Sequence, residues 1–184
     1  MLQLLKSITA SRFCWFLLLV TGVALEVCGW YFQYQLNLQP CVNCVYERAF
    51  ILGFVVAGFI GAIAANFLIA RLLSNLIFIA SAVCGLYISF MHFIAYNKIS
   101  FGTFGDAKCA ITTNFPSYLT LDEWAGFPFK ATGMCDEKLD WSFLTLSMPT
   151  WILIMFSVAT VVSIMMFIGN FVPKKNENFG KLYK

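Results

Sequence analysis

Four of the seven cysteines in this 184-residue chain are placed to do chemistry. Cys41 and Cys44 form a Cys-Val-Asn-Cys where a polar loop runs into a long apolar stretch. Cys109 and Cys135 follow far downstream, in the one large polar loop. The thiolate is the form of cysteine that attacks a disulfide. Two cysteine pairs on the same side of a bilayer suggest thiol–disulfide exchange, with electrons passing from one pair to the other and on into the lipid.

Pro40 marks the entry to the second apolar stretch. A helix beginning at Cys41 carries Cys41, Cys44 and Arg48 on one face, at i, i+3 and i+7. Arg48 is four residues beyond Cys44, so its guanidinium can reach that sulfur. A helix N-terminus and a nearby cation both favour a thiolate. The plainer alternative is that Arg48 snorkels to the headgroups and pairs with Glu47. The Cys-x-x-Cys is also compatible with half of a zinc site, completed by Cys109 and Cys135. Against zinc, the 109-to-135 spacing is far too long for a second knuckle, and a structural zinc pair has no use for the adjacent Arg. No metal ligand set is therefore expected.

His92, the only histidine, falls late in the third apolar stretch, at about the depth of Cys44 and Arg48. It is a candidate hydrogen-bond donor to a bound ligand, or an ordinary interface residue. Glu26 is an intramembrane carboxylate and so a functional candidate by default; a protonated, packed Glu is the alternative. Cys14, Cys28 and Cys84 lie inside apolar stretches and read as packing residues, since cysteine behaves as a small hydrophobe. Gly53, Ala57 and Gly61 form a small-xxx-small stripe for close helix packing.

The elements that must position these residues are membrane helices. The chain is 60% hydrophobic and 11% charged, with mean hydropathy +0.79; a soluble domain is about a quarter charged. Four stretches, near 13–35, 45–66, 72–95 and 150–172, are long enough to cross a core that needs about 20 apolar residues. The first is too long, with Glu26 too deep in it, to be a cleaved signal peptide. The expected fold is an all-α membrane protein. Residues 1–184 are expected to form a single integral domain, a four-helix bundle with a short surface helix in the second outer loop. That helix is expected in the aromatic stretch from Phe115 to Trp124, continuing towards Phe127 and Phe129.

Charge orients the bundle. Lys6, Arg12, Arg71, Lys174, Lys175, Lys181 and Lys184 stand against Glu177 alone in the N-terminal, 67–71 and C-terminal segments. In the long loop, Lys98, Lys108, Lys130 and Lys138 stand against Asp106, Asp122, Glu123, Asp136, Glu137 and Asp140. This positive-inside bias puts both termini in the cytoplasm and the loops at about 36–44 and 96–149 outside, where disulfides persist. The formal net charge of +3 arises from this asymmetry and does not point to nucleic acid.

The block Pro40-Cys41-Val42-Asn43-Cys44-Val45-Tyr46-Glu47-Arg48 closely resembles the disulfide bond formation protein B family (DsbB), inner-membrane quinone reductases of Gram-negative bacteria. The likeness extends over nearly the whole chain. It takes in a Glu in the first span, His92, Cys109, Phe115-Pro116, Leu121-Asp122-Glu123-Trp124, Gly133-Met134-Cys135, and Trp141 through Met148-Pro149. The resemblance implies that Cys109–Cys135 is the disulfide offered to a soluble periplasmic DsbA-type oxidase of thioredoxin fold. It implies that Cys109 takes the mixed disulfide, that Cys135 then attacks Cys41, and that Cys44 leaves as a thiolate beside a membrane quinone, ubiquinone or menaquinone. Arg48, His92 and Glu47 then belong to the quinone site. The direction suits the energetics, because a DsbA-like couple near about −120 mV needs a still stronger acceptor. Two departures are Asn43 between the active cysteines and a Cys135-to-Trp141 stretch about one residue longer than usual; they leave open a family variant serving a dedicated partner enzyme. Outside the family, the alternatives are a non-enzymatic four-span protein stapled by Cys109–Cys135, or the zinc site.

Overall fold

The computed structural model describes residues 2–97, 129–133 and 142–171. Cys109, Cys135 and the expected surface helix at 115–124 lie outside the described residues. The chain forms α1 (Leu2–Ala10), α2 (Arg12–Tyr34), α3 (Val42–Ala64), α4 (Leu68–Asn97), the strands β1 (Ser142–Phe143) and β2 (Leu146–Ser147), and α5 (Met148–Phe171). Helices α2 to α5 are each long and apolar enough to cross a membrane. They match the four expected stretches to within a few residues, except that α4 begins four residues earlier than expected, at Leu68.

Helix packing follows chain order, α2 on α3, α3 on α4 and α4 on α5. Phe54 of α3 sits at the centre, with ring centroids 5.1 Å from Phe78 of α4 and 5.7 Å from Phe156 of α5. The small-residue stripe on α3 packs closely, but against two partners. A side chain at Gly61 would strike the Trp15 ring of α2, and one at Gly53 would strike Ser81 of α4. Large apolar side chains such as Phe13, Phe59, Ile69 and Val158 point outward. Such a coat suits lipid, not water.

Helix α1 was not anticipated. At nine residues it is about 14 Å long by helix rise, too short to span. It packs against α5: Thr9 Oγ1 donates to the Met166 carbonyl at 3.1 Å, and the Trp15 indole donates back to the Thr9 carbonyl at 3.0 Å. The hairpin ahead of α5 turns through Leu144 and Thr145, both at positive φ, as a two-residue turn between twisted strands requires. Trp151 Nε1 donates to the Phe143 carbonyl and fixes the hairpin to the start of α5.

Candidate redox active site

Cys41 is the N-cap of α3. Its backbone is extended (φ −78°, ψ 170°), and its sulfur accepts the otherwise orphaned N–H of Cys44 at 3.2 Å. This is the position where Ser or Asp usually satisfies the first turn. Capping fixes the register, with Cys41 at the mouth of the span and Cys44 one turn inside. The two sulfurs are 2.8 Å apart, close enough to interconvert between dithiol and disulfide with little backbone movement.

His92 of α4 stands over this pair, its Nε2 3.7 Å from Cys41 Sγ and 4.0 Å from Cys44 Sγ. On its other side, Nδ1 donates to Glu47 Oε1 at 2.9 Å. Both His92 and Glu47 are buried. The expectation that His92 shares the depth of Cys44 is met, and Glu47 is the carboxylate that orients it. The anion-stabilising groups gather at Cys41. The Cys44 thiol, hydrogen-bonded to the Cys41 sulfur, is the largest influence; burial opposes it, and the hydrogen bond and charge of His92 and the Cys44 N–H assist it. Together they pull the Cys41 thiol down to about 5.

Arg48 does not take the plainer alternative considered for it. It is 7% exposed, so it does not snorkel, and its ion-pair partner is Glu26 of α2 (Nε to Oε2, 3.5 Å), not Glu47. Its Nη1 donates to Gln33 Oε1 at 2.7 Å, and the guanidinium lies 5.6 Å from the Phe129 ring centroid. His92 Nε2 is within 4.0 Å of both sulfurs. Glu26, whose role the sequence left open, holds Arg48 against the inner wall of the site.

The segment 129–133 closes over the mouth. Thr132 N and Gly133 N both donate to the Pro40 carbonyl, at 2.9 and 3.0 Å, and Thr132 Oγ1 donates to Gln39 Oε1. Gly133 is needed here because a Cβ would overlap the Gln39 carbonyl. A backbone clasp thus joins the residue before Cys41 to a residue two positions before Cys135 in the chain.

Beside the pair lies a cavity of about 310 Å³ between α2 and α5, with α3 as its third wall. Leu25, Phe32, Ile51, Trp151, Ile152 and Met155 line the apolar part; Cys44, Glu47, Arg48, Gln33 and Gln39 cluster as its polar part. Glu47 Oε2 is buried with no hydrogen-bond partner among the described residues. A flat apolar ring with polar oxygens fits this donor and acceptor set. Cys28 also lines the cavity, and both Cys28 and Cys84 are exposed on the helix surface. They are not buried packing residues as expected: Cys28 is exposed at the cavity wall and Cys84 on the outer helix surface, where in lipid a thiol costs little. Cys14 is half-buried.

Gln33, Phe129, Thr132 and Gln39 were not singled out for this site by sequence reasoning. Gln33 lies seven residues after Glu26 on α2 and so on the same helix face, the one local signal that could have found it.

A four-span membrane protein with a dithiol at the mouth of one span and a polar-ended apolar cavity beside it is a candidate membrane thiol oxidoreductase. Residues 11–166 match the model of the family described as disulfide bond formation protein DsbB. Over 178 residues the chain is 36% identical to disulfide bond formation protein B of Haemophilus influenzae, covering 96% of this chain and 97% of that one. It is 37% identical over 183 residues to the protein of that name from Yersinia pestis, covering 98% and 100%. To that from Psychromonas ingrahamii it is 36% identical over 179 residues, covering 97% and 94%. The chain belongs to the disulfide bond formation protein B family, and is a multi-pass inner-membrane protein of disulfide bond formation.

Proposed function

We propose that this chain is a protein-dithiol:quinone oxidoreductase that reoxidises a periplasmic DsbA-type thioredoxin-fold oxidase. Its termini face the cytoplasm and the Cys41 mouth faces the periplasm, as the positive-inside bias indicates. The observation that carries the reading is the placement of the Cys41–Cys44 pair: capped at a helix mouth, with Cys44 lining a polar-ended apolar cavity.

The exchange begins when a partner thiolate attacks Cys109 of a Cys109–Cys135 disulfide, forming a mixed disulfide and freeing Cys135 as a thiolate. Cys135 attacks Cys41, the Cys41–Cys44 bond breaks, and Cys44 leaves with the electron pair. The partner's second thiol then displaces Cys109, forming the partner disulfide. The freed Cys109 attacks Cys135, restoring Cys109–Cys135 and releasing Cys41, so that Cys41 and Cys44 stand reduced beside the cavity. The clasp supports the attack of Cys135 on Cys41. Cys135 is two residues from Gly133, a reach of at most about 7 Å along the chain, and Gly133 is bonded to the residue before Cys41. A quinone bound in the cavity supplies the sink for two electrons and two protons. Cys44 faces that sink; Arg48, held by Glu26 and Gln33, presents a fixed cation there. His92 contacts both sulfurs and is hydrogen-bonded to Glu47, which lines the cavity, so the pair can take up the thiol protons and hold them beside it. The quinone pool, ubiquinone or menaquinone, drains the electrons. In membranes depleted of quinone, Cys41–Cys44 should accumulate reduced while a periplasmic dithiol oxidase is being fed. A pair that stays oxidised under those conditions would exclude quinone as its acceptor.

A further inference from the structure

We infer that the reduced Cys41–Cys44 pair and His92 form a three-ligand site for a thiophilic divalent cation of the zinc class. The two sulfurs and one imidazole nitrogen lie within 4.8 Å of one another. This is a different ligand set from the four-cysteine zinc site considered from sequence. Zinc bonds of about 2.3 Å to sulfur and about 2.0–2.1 Å to nitrogen place tetrahedral ligand atoms roughly 3.6–3.8 Å apart. The Cys41 Sγ-to-Nε2 separation of 3.7 Å already matches, and the Cys44 Sγ-to-Nε2 separation of 4.0 Å exceeds it by a few tenths of an ångström. The sulfurs, at 2.8 Å, must part by about 1 Å to reach that spacing, the direction in which two thiolates repel.

Two further features belong to a metal centre. Glu47 accepts the Nδ1–H of His92, which leaves Nε2 facing the sulfurs, where a cation can displace its proton. Histidines that bind metals are oriented by a carboxylate in the same way. Three ligands leave a fourth position free, and Cys44 lines the cavity, from which water or a small anion can fill it. Two thiolates, one imidazole and an open position make a donor set that zinc accepts.

The consequence is a state-dependent inhibitor site. A Cys41–Cys44 disulfide offers no thiolate, so the cation binds only the reduced form. At a free concentration of 100 times its dissociation constant it stabilises that form about 100-fold and holds the electrons back from the cavity. The inference needs only that the pair can be reduced, so it stands or falls separately from quinone as acceptor.

The test uses the full chain carrying C109S and C135S, freed of quinone, with cadmium as the probe. Cadmium uptake is read from sulfur-to-metal charge-transfer absorption and from competition with a chelator. The reduced protein should take up one cadmium per chain, and the same protein with Cys41–Cys44 oxidised should take up none. Glu47→Gln should weaken binding about 10–100-fold, and His92→Gln and Cys41→Ser at least as much. The oxidised protein provides a folded control with every side chain in place. Equal uptake by oxidised and reduced protein, or undiminished affinity in His92→Gln with its helix content intact, would overturn the inference.

Discussion

Gly133→Ala is the sharpest perturbation of the clasp that brings the second cysteine pair to the first. An added Cβ overlaps the Gln39 carbonyl, and neither neighbour is the free end of a flexible side chain, so the two backbones must separate. The bonds at risk are those from Thr132 N and Gly133 N to Pro40, at 2.9 and 3.0 Å. Hydrogen bonds of that length have little slack, since contacts near 3.6 Å no longer count as bonds. Each contributes a net of about 0.5–1.5 kcal/mol. Losing both removes about 1–3 kcal/mol, or about 5–150-fold in the effective concentration of Cys135 at Cys41. The assay is an equilibrium one. In protein carrying C44S and C109S, the Cys41–Cys135 disulfide is titrated against a glutathione buffer and its fraction read by gel shift after thiol trapping. Gly133→Ala should lower the equilibrium constant by that factor while the helix content stays the same. An unchanged constant would show that the clasp does not deliver Cys135, and the geometric support for the Cys135-to-Cys41 step would be lost.

Three other outcomes are expected. Cys109→Ser should leave the Cys41–Cys44 disulfide formed but stop oxidation of a periplasmic dithiol oxidase; an unimpaired rate would break the relay. Arg48→Ala removes a charged hydrogen bond worth about 1.5–3 kcal/mol and should weaken quinone affinity or rate about 10–150-fold, with Arg48→Lys milder because the charge remains but the planar fork is lost; unchanged quinone kinetics in Arg48→Ala would take Arg48 out of the site. Because the Cys41 thiol is lowered to about 5 and the thiolate is the reactive form, alkylation of Cys41 in the reduced protein should stay fast at pH 6 and fall to half near pH 5. A midpoint at the ordinary value of about 8.5 would refute the environment described for it.

What the sequence disclosed, and what it hid, follows from the range of the forces involved. The spans were legible because hydropathy is local and the bilayer sets one length. The shared level of Cys44 and His92 followed from counting along helices α3 and α4. The partners of Arg48 did not. From sequence, Glu47 is its neighbour and Cys44 lies one turn away, yet the helix points Arg48 at α2, where Glu26 and Gln33 receive it. Adjacent residues on a helix face different directions, and which one meets a given neighbour depends on helix rotation, which hydropathy does not specify. Close approaches such as Gly61 against Trp15 help to set that rotation. Cys28 and Cys84 were misread for the same reason. The clasp was hidden because its bonds are made by backbone groups of Thr132, Gly133 and Pro40, which carry no side-chain signature. Helix α1 was hidden because nine residues are too few to register as a span.

In the proposed reaction, electrons leave a dithiol through Cys44 to a quinone. The direct measurement is an anaerobic titration of the purified protein and added quinone with a reduced DsbA-type oxidase, following quinone absorbance and partner thiols together. The account predicts one quinol formed for each partner disulfide, lost in Cys44→Ser and in Cys41→Ser. Partner disulfides formed without quinol, or quinol still formed in Cys44→Ser, would contradict it.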